Sequence, residues 1–395
     1  MIDKPLDGVR VIDFGQFIAA PAATQVLVDL GADVIKVEPV HGESARGIGA
    51  HGKAMVENYN RGKRAIALDL KDPRGQEIAR RLIAGADIVV QNLRPGVMDK
   101  LGLGAEEMRA AHPHLVYATV SGFGLHGPSR NRAGLDIAAQ AESGLMWVTG
   151  EHDGEPQKVG AQIVDAATGY VCAQAILGAY IRRLRTGEGD TVEVSLLEVA
   201  IHLQAPNWGA YLDTGNEPRR MGNGQPTVAP AADIMPTSDG SVVVSAYSEV
   251  HFRRLCRLLG RAELATTPGS RQREPGPQPP RPAHRVARRV RDHDERRGDG
   301  RARRQRCRRR ADQHLSRGDA QSRRPGLRAL HRGQPPRRRA CDRTRHAVAP
   351  RECPEAPDAG APDLGQHTAE VIAELGYPTD ALDALAADGV VALGR

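Results

Sequence analysis

The sequence predicts an α/β fold whose parallel sheet is covered by helices on both faces. Short apolar runs alternate with helical patterns through the first 125 residues, and those runs are apolar at nearly every position rather than at every second one. A break in composition bounds the prediction. Residues 271–350 hold 26 arginines and six large aliphatic residues, with no Lys, Ile, Phe, Met, Trp, Tyr or Asn. Such a stretch cannot bury enough apolar surface to offset the entropy of ordering it.

The elements follow in order. VRVIDF (9–14) is a strand, and the Ala-rich segment 19–30 is a helix closed by Gly31. DVIKVE (33–38) and AIALDL (65–70) are strands. A helix over 72–84 has Asp72 as N-cap, Pro73 at its first position and Gly85 behind it. DIVVQN (87–92), a helix near 104–112 and LVYATVSGF (115–123) complete the alternation. Beyond them lie a long helix over 165–184, a turn at 186–190, the strand TVEVSL (191–196) and a helix from about 197. The Gly/Pro-rich loop 221–230 leads to a second domain, begun by SVVVSAY (241–247) and a helix over 251–260. LGQHTAEVIAELGY (364–377) reads as an amphipathic helix. The expected division is a large domain over 1–220, the start of a small one over 221–266, an arginine-rich stretch over 267–350 and a return to the large domain over 361–395.

Three readings compete for the arginine-rich stretch: a basic arm for nucleic acid, a tolerated insertion, and GC-rich DNA translated out of frame. The last is favoured, because it explains the enrichment in Arg, Pro, Gly, Ala and His as well as the missing residue types. Interleaved aromatics, expected of a single-strand binder, are lacking. The formal charge of +7 is therefore no argument for nucleic acid: without 271–350 the chain has a net charge of −11. The five cysteines show no metal-ligand spacing, and Cys172 and Cys256 read as buried thiols. No apolar run approaches bilayer length and no signal segment opens the chain, so a cytoplasmic protein without membrane contact is expected.

Four features carry chemistry. Asp165, followed by Ala166, Ala167 and Gly169, sits where a helix begins. The small residues leave room for a ligand, and the helix dipole would hold the carboxylate ionised as a nucleophile; an ordinary N-cap is the competing reading. Arg61, Lys63, Arg64 and Lys71 bracket a strand and could meet phosphates, or form a solvated face. Asn92 ends a strand at the sheet edge where ligands bind, with Arg94 and Lys100 behind it. The glycines of GNGQP (222–226) would let backbone N–H groups approach a ligand. A dinucleotide site is rejected, because the turn after the first strand reads GQFIAAP and lacks the GxGxxG cradle.

PLDGVRVIDF, LGADVIKVE, NRGKRAIALDLK, QNLRPGVMDKLG, SGFGLHGP, the Asp165 segment, RTGEGDTVEVSLLE and LGQHTAEVIAELGY, in this order, resemble the class III coenzyme A transferases. This CaiB/BaiF family includes formyl-CoA transferase and the alpha-methylacyl-CoA racemases. The resemblance implies a Rossmann-like large domain, a smaller α+β domain (here disrupted by the arginine-rich text) and a homodimer of interlocked chains. It implies Asp165 as nucleophile, with Leu68, Lys71, Asn92, Leu93 and Lys100 lining a site for coenzyme A, which is a substrate rather than a resident cofactor; no metal is implied. Lys100 stands where formyl-CoA transferase has an arginine, Pro39 where many relatives have one, and Ala133 where it has a lysine. Arg46 or Arg132 is the expected compensation. The racemases carry Gly-His-Asp where this chain has Gly134-Leu135-Asp136, and a leucine cannot take a proton; Glu249 near the racemase glutamate is the counter-indication. The expected reaction transfers CoA from an acyl-CoA to a carboxylic acid through an aspartyl anhydride and an aspartyl-CoA thioester. The alternatives are a racemase and an inactive relative.

Overall fold

In the computed structural model, Arg10–Asp13 (β1) lies at the centre of a seven-stranded sheet. Residues 4–225, 229, 231–237, 239–265, 328–329 and 360–394 are described. They fall into two units. Met1–Trp147, Gln157–Pro218 and Thr344–Arg395 make the first; Val148–Pro156 and Arg219–Arg343 make the second.

The other strands of the large sheet are Asp33–Glu38 (β2), Arg64–Leu68 (β3), Ile88–Gln91 (β4), Val116–Ser121 (β5), Thr191–Ser195 (β6) and Val391–Ala392 (β10). Their order is β10-β3-β2-β1-β4-β5-β6, and every pairing is parallel except β10 with β3. Helices cover both faces. On one face Ala19–Asp29 (α1) and Ile163–Thr186 (α8) join a core containing Val11, Val34, Val90 and Val120. On the other, Pro73–Ala84 (α3), Ala105–Ala111 (α5), Thr368–Glu374 (α12) and Thr379–Ala387 (α13) surround Ile12, Ile35, Ile66 and Val89. Adjacent residues of β1, Val11 and Ile12, thus serve opposite faces, as the pleat requires. Burial on both faces is why these strands read as continuous apolar runs.

The remaining helices are Gly49–Tyr59 (α2), Val97–Lys100 (α4), Asp136–Glu142 (α6), Leu145–Val148 (α7), Leu196–His202 (α9) and Ala205–Thr214 (α10). Several expected bounds move. β3 runs over 64–68, since the Asp69 N–H turns to the Val390 carbonyl. The helix expected over 364–377 is α12, one of two tail helices. Asp72 caps α3, accepting from the Arg74 N–H at 2.8 Å. α8 is long and apolar enough to cross a membrane, yet its buried residues, among them Val164, Cys172 and Ile176, pack into the core beside α1. Cys172 is fully buried, which pushes its thiol up to about 12. Cys256 is also buried and free.

In the second unit, Ala232–Pro236 (β7) and Ser241–Ser245 (β8) form an antiparallel pair, followed by Glu249–Leu258 (α11). The stretch read as out of frame lies outside the described residues, except Arg328–Ala329 (β9), which pairs with β8.

A buried charge cluster holds the turn after β1. Asp13 is fully buried, 2.8 Å from the Lys63 Nζ; it accepts from the Thr24 hydroxyl at 2.6 Å and from the Gly15 N–H at 2.7 Å. Lys36 Nζ donates to the Gly15 carbonyl at 2.7 Å and pairs with Glu43 at 3.0 Å. Glu43 in turn accepts from the Phe17 N–H at 2.8 Å, which holds Phe17 at φ 61°, a conformation unfavourable for a bulky residue. Burial alone would raise the Asp13 carboxyl, but Lys63 and Lys36 hold it at about 2. Burial, with Lys36 close by, pushes Lys63 down to about 8 against the pull of Asp13. Lys63→Met removes one cation and leaves a buried carboxylate under-compensated; it should cost about 3 kcal/mol in urea unfolding.

Candidate active site

Because α8 leads into the parallel strand β6, its first turn lies at the edge where the strands end, the edge at which sheets of this kind bind ligands. Asp165 is in that turn, but Gln162 is the N-cap residue, so the N-cap reading of Asp165 is corrected. The capping acceptor comes from α6. Asp136 Oδ2 accepts from the Val164 N–H at 2.8 Å and from the Asp165 N–H at 3.1 Å. Asp136 Oδ1 accepts from the Gln140 amide at 2.5 Å, and the same amide's oxygen accepts from the Val159 N–H at 2.8 Å. Gly122 and Gly134 sit back to back, so close that a Cβ on either would collide with the other's backbone. That contact brings Asp136 to the start of α8.

The expectation that the helix dipole keeps Asp165 ionised is also corrected. Burial, with the Asp136 charge nearby, pushes its carboxyl up to about 7. Tyr59 of α2 is half-buried beside it, and its phenol is raised by burial, Tyr170 and Asp165. Gly169 does not make room for a ligand; a Cβ there would lie 2.5 Å from the Ala22 Cβ, so this glycine serves the close packing of α8 on α1.

The other expected residues divide into those at the ligand edge and those with structural duties. Leu68 ends β3 fully buried and pairs with Val391 of β10. Lys71 is exposed just beyond it, and Lys100 is exposed at the end of α4. Asn92 follows β4, and its amide is committed to Gln16, accepting from its N–H at 2.8 Å and donating to its carbonyl at 2.9 Å. This bridge spans the point where strand order reverses, between β1 and β4. Leu93 is half-buried against the core, its N–H donating to Gln91 at 2.7 Å.

Lys63 cannot meet a phosphate, being sealed against Asp13. Arg64 begins β3 at the opposite edge of the sheet and pairs with Asp33, Glu370 and Glu374. Arg61 lies 3.9 Å from Asp29. Arg46 is bound to Glu38 through two bonds of 2.7 Å, while Arg132 pairs with Glu142 and stacks over Phe123. Arg46 is thus committed to Glu38, whereas Arg132 is exposed in a surface pair. A cleft of about 340 Å³ at the ends of β4 and β5 is lined by Gln91, Arg94, Thr119, Arg130 and Asn131, among others. The sequence pointed to Arg94 but missed Arg130, Tyr59 and Asp136. Leu135 is exposed and carries no titrating group; Glu249 pairs with Arg253 in the second unit, where Gly222 and Gly224 also lie.

The family model for CoA-transferase family III matches residues 6–368. The chain belongs to CoA-transferase family III. A probable fatty acyl-CoA transferase of Mycobacterium tuberculosis is 41% identical over 278 residues, spanning 66% of this chain and 70% of that protein. A succinate–glutarate CoA-transferase of Agrobacterium fabrum is 40% identical over 272 residues, spanning 66% and 68%. Among solved structures, a CaiB/BaiF family protein from Brucella suis superposes with a TM-score of 0.73 at 32% identity, covering 94% of this chain and 100% of that one. The family III chain is thus an enzyme of the CoA-transferase class, with the Rossmann-like α/β architecture expected from its sequence.

The raised Asp165 carboxyl makes a prediction about stability. A carboxyl whose folded value lies above its unfolded one favours folding fully at about pH 4 and below, and loses that contribution as pH rises through about 7. Asp165→Asn should therefore be more stable than the parent at pH 8, by about 2 kcal/mol once partial exposure is discounted, and nearly equal to it at pH 4. Thermal melts across that range measure the difference.

Proposed function

We propose that this chain transfers coenzyme A from an acyl-CoA to a carboxylic acid with Asp165 as the covalent nucleophile. The observation that carries the reading is the placement of a half-buried carboxyl in the first turn of α8, at the ligand edge, where burial and the Asp136 charge push it up to about 7. An anion desolvated in this way is a stronger nucleophile than a solvated one, yet remains accessible near neutrality.

The ionised Asp165 attacks the donor's thioester carbonyl. The C–S bond breaks, leaving a mixed anhydride and CoA thiolate. The thiolate attacks the aspartyl carbonyl, the anhydride C–O bond breaks, and the donor acid leaves as a carboxylate. The acceptor carboxylate attacks the resulting aspartyl-CoA thioester and expels the thiolate again. Thiolate attack on the acceptor's acyl carbonyl then gives the new thioester and returns the Asp165 carboxylate. No net proton is consumed.

For CoA gripping, the reading uses Lys71, Lys100 and Leu93 at the ligand edge, with the buried Leu68 at the end of β3. Asn92 contributes by fixing the Gln16 turn. A homodimer is part of the reading; its support is α10, which buries no residue and exposes Trp208, Tyr211 and Leu212. Relatives named for succinate, glutarate, mesaconate, oxalate and D-citramalate make short dicarboxylic acids the first acceptors to try. The out-of-frame reading of 267–350 remains part of the proposal; support comes from the first two relatives, whose similarity spans only 66% of the chain. That text falls where the second unit lies, which favours one other reading: a protein that binds CoA without turnover.

Asp165→Ala should reduce exchange by about a thousandfold or more while CoA binds within about threefold of the parent, by calorimetry. The rate should rise with pH along a limb centred near 7 and then level off. Binding without exchange in the parent would establish the non-catalytic reading; unimpaired turnover in Asp165→Ala would remove the residue from its role.

A further inference from the structure

We infer that Asp136 is a positioning residue for the transfer reaction: its carboxylate closes the first turn of α8 and places a fixed negative charge beside the Asp165 side chain. The inference rests on the proposed role of Asp165 and deepens it. Its geometry is independent of that role. One oxygen of Asp136 takes the N–H groups of Val164 and Asp165, at 2.8 and 3.1 Å. The other is held at 2.5 Å by Gln140, a fully buried amide that also takes the Val159 N–H. The carboxylate is therefore held by the first turn of α8 and by Gln140 of its own helix, which Val159 ties down in turn.

A charge fixed in this way has a chemical consequence. Two anions close together repel, and protonating Asp165 relieves the repulsion. Acylation relieves it equally, since the anhydride and the aspartyl-CoA thioester are both neutral at Asp165. Each unit by which Asp136 raises the Asp165 pKa therefore also favours the acylated enzyme over the free carboxylate by about tenfold. The cap that orients the nucleophile also drives it toward the covalent state. Tyr59 from α2 also faces Asp165 and has Tyr170 of α8 beside it, its phenol raised by burial and by both groups, while His51 of α2 lies 3.4 Å from Gln162.

Two substitutions separate charge from geometry. Asp136→Asn keeps an oxygen able to accept both N–H groups and removes the charge, at the cost of the bond from Gln140, whose amide then meets another donor. It should lower the acid limb of the pH–rate profile by about one unit and the yield of trapped acyl-Asp165 by about tenfold. Asp136→Glu keeps the charge but displaces the cap. It should leave the limb near 7, lower kcat by about tenfold and leave KM for the thioester within about threefold. An unmoved limb in Asp136→Asn, or an unchanged kcat in Asp136→Glu, overturns the inference. A readout without turnover keeps it separate from the transferase assignment: the pH-dependent stability difference between Asp165 and Asp165→Asn, measured with and without Asp136→Asn. The difference at pH 8 should shrink in the Asp136→Asn background, and an equal difference in both backgrounds overturns the coupling. If Asp136→Asn does not fold, the same cycle is run on Asp136→Ser, whose neutral hydroxyl can also cap. Absence of exchange at every pH would instead defeat the proposed function while leaving this cycle to decide the role of Asp136.

Discussion

The whole edge on which the site stands depends on a buried carboxylate facing two buried ammonium groups. Asp13, Lys63 and Lys36 lie wholly out of water. Left uncompensated, any one of them would be far costlier than a salt bridge is stabilising. Their mutual neutralisation, extended by Glu43, shapes the turn from Gly15 to Phe17 into something no backbone preference would select. Gly15 is needed there, because a Cβ would lie 2.6 Å from the Asp13 carboxylate. Asn92 then fastens Gln16 from the neighbouring loop. The turn at the switch point is here fastened to the neighbouring loop by a pair of hydrogen bonds.

A rigid floor lets the start of α8 carry opposed demands. The helix dipole favours an anion in its first turn, whereas burial and the Asp136 charge disfavour it. Burial and the Asp136 charge push the Asp165 carboxyl up to about 7. Two carboxylates share the end of one helix, but their surroundings differ: Asp136 spends its oxygens on N–H donors, while the Asp165 side chain is half-buried beside Tyr59. Paired acids separated by environment are a general route to distinct roles from one residue type.

Much of the fold was legible because the central strands are buried on both faces, and that burial writes an unmistakable apolar run. α2 was not legible: GAHGKAMVENY holds two glycines and buries only Gly52 and Val56. α10 buries nothing, so no stripe marks it. Asp165, Lys71, Asn92, Leu93 and Lys100 were singled out through a resemblance rather than through local rules, and their roles belong to the proposal. Sequence neighbours could not separate Lys63 from Lys71. One is sealed against a carboxylate 50 positions away and the other is in solvent, and only tertiary packing draws that distinction. Asp136 escaped for a similar reason. Its triplet invites the question of which residue can move a proton, whereas its function comes from N–H groups 28 and 29 positions later.

The short antiparallel partner of β3 has a consequence for biosynthesis. Residues 365–392 close the flank of the sheet: His367 and Thr368 bond to β3, and Val391 pairs with Leu68. A ribosome must pass through the whole arginine-rich passage before those residues emerge. Until then the nascent chain displays an open strand, the kind of edge from which proteins aggregate. A product that ended before residue 365 would leave that flank permanently bare, so the last stage of synthesis is what seals the sheet.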